Sequence, residues 1–144
     1  MQKDAEKQSY SSELAQLVGR LKAFAAIVER KLEEPSRDAI AAGESFRVVK
    51  IAEVPVQLWV VLGEEGDYVV VRKTFCSCPH FRMKIVTGRS ETPCYHLVSV
   101  EIAVRDGRFR DLSRVINPRE VAQVVFEVLA ADRSPTLRRI IHQE

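Results

Sequence analysis

Two short pairs of metal-binding residue types constrain this chain more than any other feature of its sequence. Cys76 and Cys78 form the first pair, and Cys94 and His96 form the second, after a fifteen-residue spacer at residues 79–93. The pairs use all three cysteines of the chain and one of its three histidines. Residues two apart in extended backbone project the same way, so each pair can bind one ion. The four residues are therefore predicted to form a single site.

The residue types select the metal. Three thiolates and one imidazole make a complete tetrahedral shell for zinc. A filled shell leaves no open position for water, which is typical of structural rather than catalytic zinc. The sequence therefore predicts Zn²⁺ bound by Cys76, Cys78, Cys94 and His96. The alternative, scattered core thiols beside an incidental histidine, leaves unexplained why the pattern uses every cysteine.

The order C-x-C, spacer, C-x-H resembles the SWIM zinc finger. The flanking sequence agrees with this resemblance, because a β-rich stretch precedes Cys76, Pro79-His80-Phe81 follows Cys78, and an apolar helical run follows His96. Over residues 45–105 the chain also resembles the SWIM subunit family of the Shu complex. That resemblance implies a non-enzymatic adaptor in homologous recombination and DNA repair, with a RecA-fold recombinase paralogue as its protein partner and single-stranded DNA nearby.

A second reading of the same finger remains open. SWIM fingers also occur in MuDR-type transposases and chromatin remodellers, as appended DNA- or protein-binding modules. The alternative function is therefore a stand-alone SWIM-type DNA-binding protein. Recovery of a RecA-fold ATPase from native extract favours the adaptor, whereas DNA binding by the isolated chain favours the alternative.

Length and composition describe one ordinary globular domain, residues 1–144. Hydrophobic residues make up 46% and charged residues 29%, and the net charge of +2 is too small to indicate nucleic acid by itself. An odd number of cysteines without a recognisable signal peptide predicts an intracellular protein, cytoplasmic in a prokaryote or nuclear in a eukaryote. The longest apolar runs fall short of the roughly 18 residues of a membrane helix.

The apolar periodicity predicts an α+β fold in three segments. Residues 9–43 are predicted to be helical, beginning at Ser11 or Ser12 after a frayed tail and ending near Pro35, with further turns up to Gly43. Residues 45–105 are predicted to hold a β-hairpin and a ββα-like finger, with strands at 46–51, 56–62 and 68–75. Residues 106–144 are predicted to form helices, one of them capped by Asn117. Arg138 and Arg139 are expected to point outward from the last of these helices. Valines on both faces of the strands predict a sheet that is covered on both sides, by the N-terminal helix on one and the zinc region or a partner on the other.

The N-terminal helix carries an apolar stripe with two interpretations. Its members recur at intervals of three and four, as expected for one helix face: Leu14, Leu17, Val18, Leu21, Phe24, Ala25, Val28 and Leu32. The simpler interpretation is that the whole stripe belongs to the core. A docking surface for a partner is the other, and non-core positions on this helix or on the 118–130 helix are expected to contribute to it.

Five basic residues flank the finger and are predicted to contact DNA phosphates: Arg72, Lys73, Arg82, Lys84 and Arg89. Five contacts predict a salt slope of roughly −3.5 on single strands. The alternative is that these charges only keep the zinc loop solvated. Catalysis is not expected, because the four ligands fill the shell and leave His80 and Glu91 outside it, and because the sequence contains no phosphate-binding loop of the G-x-x-x-x-G-K-[ST] type.

Overall fold

The computed structural model describes residues 2–143 and confirms the α+β class. Five helices and five strands follow one another, with a π-helical turn at Phe81–Ile85. The helices are α1 Gln2–Lys31, α2 Arg37–Glu44, α3 Tyr95–Asp106, α4 Pro118–Ala131 and α5 Pro135–Gln143. The strands are β1 Val48–Ala52, β2 Leu58–Leu62, β3 Asp67–Val71, β4 Phe75–Cys76 and β5 Arg110–Asp111. Among the described helices, none combines the length and apolar character needed to cross a bilayer.

A single sheet organises the chain, in the order β4-β3-β2-β1-β5. The first four strands pair antiparallel, and β5 joins the far edge in parallel to β1, with Val49 opposite Arg110. The predicted strand at 68–75 is divided, because the backbone of Lys73 adopts a positive φ of 62° between β3 and β4. This turn lets β4 fold back on β3 and delivers Cys76, opposite Val70, to the metal centre. The two-residue β5 has no counterpart among the predicted strands.

The sheet is covered on both faces, as the valine-rich strands predict. The elements that cover the second face differ from the predicted ones. Val48, Trp59 and Val61 on one face share a core with α3, the zinc-ligand residues and the C-terminal end of α1. Val49 and Val60 on the opposite face share a second core with α4 and α5. The N-terminal helix and the finger therefore lie on the same side of the sheet. The predicted arrangement was wrong because the C-terminal helices, not the finger, bury the second face.

The N-terminal helix differs from its prediction in length and in burial. α1 begins at Gln2, so the expected frayed tail is helical, and it ends at Lys31. α2 is a separate helix with Ser36 as its N-cap, whose hydroxyl accepts a hydrogen bond from the backbone N–H of Ala39 at 3.2 Å. Only the inner part of the apolar stripe lies in or against the core: Val28 is fully buried, and Phe24 and Leu32 pack against it. Assigning the entire stripe to the core was therefore wrong.

The C-terminal helices follow their sequence signals, with one exception. Asn117 and Glu120 form the predicted capping box of α4, and Gly107 ends α3 in the left-handed conformation. Arg138 was expected to point outward from α5, but its guanidinium donates to both oxygens of the buried Asp67 carboxylate, at 2.6 and 3.1 Å. An arginine next to a second arginine on a surface helix looks like a solvent-exposed residue. Its partner lies 71 positions earlier and gives no local signal.

Gly43 is the point of closest approach between α2 and α3. A Cβ at this position would lie 2.8 Å from the side chain of Ile102 and 2.9 Å from the carbonyl oxygen of Ser99. We therefore expect Gly43→Ala to lower the free energy of unfolding by about 1–3 kcal/mol, because an overpacked helix contact forces backbone shifts. Gly19→Ala is the matched control, since nothing lies within 4 Å of its added methyl group. Thermal denaturation should show the first variant melting lower and the second unchanged or higher.

Candidate metal centre

The four predicted ligands meet between the sheet and α3. Cys76 ends β4, Cys78 follows in the next turn, Cys94 is the N-cap of α3 and His96 lies in its first turn. One donor atom from each residue lies within 4.8 Å of the others, and all four residues are buried. The donors of a tetrahedral zinc site are separated by about 3.8 Å, given Zn–S bonds of about 2.3 Å. The cluster therefore has the donor types and approximately the size of a closed zinc shell.

The buried ring nitrogens of His96 lack hydrogen-bond partners among the described residues, and a bound metal would coordinate one of them. Its ring is 7% exposed, and neither ring nitrogen has a hydrogen-bond partner among the described residues. The rings of Tyr68 and Tyr95 lie against it, with centroids 4.8 and 4.0 Å away. A buried imidazole without partners costs free energy, whereas coordination through one nitrogen removes that cost. The environment of His96 therefore fits a metal ligand better than a core histidine.

The three thiols are too close to one another to ionise independently. Hydrogen bonds from Cys76 and Cys94 lower the pKa of Cys78, whereas burial raises the pKa of Cys76. One thiolate among three buried sulfurs is thus stabilised at the expense of its neighbours. A divalent cation bound between them favours all three thiolates together. The cluster of free cysteines Cys76, Cys78 and Cys94 fits zinc binding on these grounds.

Two further contacts fix the first ligand pair, and the sequence interpretation did not include them. The Ser77 hydroxyl accepts from the backbone N–H of Val69 at 2.9 Å, while the Ser77 N–H donates to the Val69 carbonyl. The backbone N–H of Phe81 donates to the Sγ of Cys78 at 3.4 Å. Ser77 therefore fastens the C-x-C turn to β3, and Phe81 supports the sulfur. The sequence signal for the contact with β3 was Ser77 itself, a small polar residue between two cysteines.

His80 lies beside the centre without joining it. Its Nε2 is 2.9 Å from the carbonyl oxygen of Thr92, which joins the two ends of the spacer just before the second ligand pair. Glu91 is exposed. The cluster of potential ligand atoms in the described residues contains neither of them. Both residues thus lie outside the shell, where the sequence interpretation placed them.

The five predicted DNA-contacting residues fall into two groups. Arg72 donates to both oxygens of Glu101, at 2.8 and 3.1 Å, and Lys73 lies 2.7 Å from Glu29. The hydrogen bond to Glu101 raises the pKa of Arg72. Their charges are thus engaged within the protein. Glu101 is buried on α3, and as an acid in an otherwise apolar helix segment it was a signal of a buried ion pair.

The second group belongs to the spacer and is open to solvent. Arg82, Lys84 and Arg89 are exposed, and only Arg82 has an acidic neighbour, Asp132 at 3.9 Å. Lys84 and Arg89 make no ion pair with any side chain that the structure describes. If the spacer contacts DNA, these three residues are its available cations. The phosphate-binding role of all five residues stays a prediction.

The fold and the donor set define a zinc finger that ties a strand, a turn and a helix around one ion site. Residues 59–105 match the SWIM zinc finger family, and that segment contains β2 to α3 with all four ligand positions. A SWIM finger is a zinc-binding module.

A protein of Archaeoglobus fulgidus described as uncharacterized is 34% identical to this chain over 68 residues. The similar segment covers 46% of the present chain and 56% of the archaeal protein. The similarity therefore spans little more than half of that relative and adds no activity or partner. No solved structure matches the chain.

Proposed function

We propose that this protein is a zinc-stabilised, non-enzymatic adaptor that binds a RecA-fold recombinase paralogue and assists homologous recombination. The observation that carries the proposal is the closed donor set, Cys76, Cys78, Cys94 and His96, which is buried and supplies four ligands. Four protein ligands leave no position for a substrate or an activated water, so the zinc acts on the fold rather than on a reaction. The RecA-fold partner and the role in recombination are proposed from the resemblance to the SWIM subunit family of the Shu complex.

An adaptor also needs a surface that its own fold does not use. The outer face of α4 fits this role, because Phe126 is 66% exposed and Leu129, one turn later, is 58% exposed. Arg119 and Arg133 flank this apolar centre and are exposed. Large aromatic side chains ringed by polar residues are typical anchors of protein interfaces. We propose the outer face of α4 as the contact for the ATPase partner.

The partner is tested by affinity capture from native extract of the source organism. The wild-type chain should recover a RecA-fold ATPase, and Phe126→Asp should lose it at an unchanged melting temperature, because the side chain is mostly exposed. Phe46→Asp serves as the matched control, since Phe46 is also exposed but lies before β1. Capture that is identical for all three proteins would remove α4 from the interface, and absence of any RecA-fold protein would contradict the adaptor role.

A second candidate function, the stand-alone SWIM-type DNA-binding protein, is favoured by the exposed cations of the spacer. Three contacts from Arg82, Lys84 and Arg89 predict a salt slope of about −2 on single strands, at about −0.7 per phosphate. With a net charge of +2 for the whole chain, binding by the isolated protein is expected to be weak.

Titration of labelled single strands against salt measures this contribution. The triple variant Arg82→Ala, Lys84→Ala, Arg89→Ala should flatten the slope. An equally charged control that replaces the exposed residues Arg108, Arg114 and Arg139 should keep the wild-type slope. Equal slopes for wild type and the spacer variant would exclude the spacer from DNA binding.

A further inference from the structure

Residues 10–23 of α1 leave the apolar face that they carry exposed. α1 has 30 residues and is therefore about 45 Å long. Every side chain from Tyr10 to Ala23 is exposed, and burial begins only at Phe24. An unpacked helical segment of about 14 residues, the length of residues 10–23, is marginally stable in water by itself. The arm formed by residues 10–23, called here the α1 arm, thus needs a surface to cover it.

The exposed apolar residues of the α1 arm form a coiled-coil seam. Tyr10, Leu14, Leu17 and Leu21 are 78%, 59%, 51% and 41% exposed. The spacing of four, three and four continues without a break into Phe24 and Val28, which are packed on the protein's own core. Alternation of three and four over more than two heptads is the pattern by which one helix packs along another. The missing element is therefore a helix.

The charges beside the seam indicate which helix fits. Glu13 and Arg20 both flank the seam on the same side, are exposed, and make no ion pair with a described residue. In an antiparallel pair of α1 arms centred between residues 15 and 16, Tyr10 faces Leu21 of the second copy and Leu14 faces its Leu17. This register also places Glu13 of each copy beside Arg20 of the other, so that two such charge pairs form. The seam is self-complementary in that arrangement.

Neighbouring arrangements lose this complementarity. A shift of one heptad in either direction sets Glu13 against Glu13 or Arg20 against Arg20. In a parallel pair, Glu13 faces Val18 and Arg20 faces Ala25, so no charge pair forms. The antiparallel register centred between residues 15 and 16 is thus the one that pairs every flanking charge of the arm.

An open groove lies beside the seam on the body of the protein. This groove of about 460 Å³ runs between α1 and the spacer, lined by Leu17, Leu21, Phe24, Phe81 and Ile85. Because the antiparallel helix of a second copy runs toward this end of the seam, its first turns meet the groove. The groove adjoins the seam, because Leu17 and Leu21 line both, and Arg20 and Glu91 lie at its polar border.

We propose that the α1 arm is a homodimerisation element, in which two copies pair antiparallel along Tyr10, Leu14, Leu17 and Leu21. This proposal is independent of the adaptor function and of its ATPase partner.

Sedimentation velocity of the full, zinc-loaded chain tests the proposal directly. Wild type should sediment as a dimer, with twice the 16.3 kDa mass of one chain. Leu17→Glu should shift the protein to monomer, with a dissociation constant at least a hundredfold higher, because it places two carboxylates in the seam. Its zinc content should not change, since Leu17 lies outside the core. A wild-type monomer at all concentrations would overturn the proposal.

A charge-swap cycle tests the register. Glu13→Lys and Arg20→Glu should each raise the dissociation constant roughly tenfold, since each turns two attractive contacts into repulsive ones. The double variant should restore wild-type affinity. Lys22→Glu is the matched control for Arg20→Glu, because it makes the same charge change two residues away on the outer side of the helix. It should leave the dissociation constant unchanged. A double variant as weak as the single ones would overturn the antiparallel pairing.

Discussion

Cys94→Ser is expected to lose bound zinc and, with it, the folded finger. Structural zinc contributes on the order of 10–16 kcal/mol to small domains at neutral pH. That contribution equals or exceeds the net stability of a typical domain, about 5–15 kcal/mol. Cys94 is the N-cap of α3, and its loss also frees the helix that covers one face of the sheet. The variant should therefore unfold over its finger at ordinary temperature, and wild type should do the same after chelation.

Metal analysis and circular dichroism together measure this effect. Wild type should hold one zinc per chain, and serine or alanine at Cys76, Cys78 or His96 should behave like Cys94→Ser. His80→Ala is the matched control, because this histidine lies in the same finger but contacts the Thr92 carbonyl rather than the donor cluster. It should keep the metal. Full zinc occupancy in Cys94→Ser, or loss of zinc in His80→Ala, would contradict the proposed ligand set.

The metal centre was predictable because its information is local and chemical. Cys76 and Cys78 are two residues apart, as are Cys94 and His96, so short segments of backbone bring each pair together wherever the rest of the chain lies. Helix ends follow the same logic: the capping box of Asn117 and the left-handed Gly107 are set by a few neighbouring residues.

Long-range placement was not predictable in the same way. The apolar stripe of α1 looks uniform along the sequence, yet Leu17 is exposed and Val28 is buried, because the body of the protein meets only one end of the helix. Equally, nothing in Arg110 and Asp111 indicates a strand. They pair with β1 because the chain returns past that edge after α3.

The placement of charged residues also depends on long-range contacts that the sequence pattern does not reveal. Sequence patterning treats Arg72 and Arg138 as surface charges because each is followed by a second basic residue, Lys73 or Arg139. In the structure each donates two hydrogen bonds to a buried carboxylate, Glu101 and Asp67 respectively. Those acids lie 29 and 71 positions away along the chain. Which arginines remain available for DNA therefore depends on contacts that only the fold determines.

Arg138→Met is expected to have the second-largest effect, a loss of about 3 kcal/mol in the free energy of unfolding. Asp67 is completely buried at the start of β3, and Arg138 on α5 supplies two of its hydrogen bonds, with a third from the backbone N–H of Ser134 at 3.0 Å. Removing the cation leaves a buried carboxylate without its counter-charge, which costs about 3–5 kcal/mol in proteins. The Arg138 side chain is 31% exposed, so solvent compensates in part and the lower end of that range applies.

Urea denaturation of four variants, Arg138→Met, Asp67→Asn, the two combined and a control, separates the contribution of the charge from that of packing. Arg139→Met on the same helix is the matched control, because Arg139 is exposed and makes no ion pair with a described residue, and its midpoint should stay at the wild-type value. Asp67→Asn together with Arg138→Met should recover part of the loss, because no uncompensated charge then remains in the core. If the double variant is as unstable as the sum of the two single changes, the ion pair is not what fastens α5 to the sheet, and packing of Leu137 and its neighbours carries that role instead.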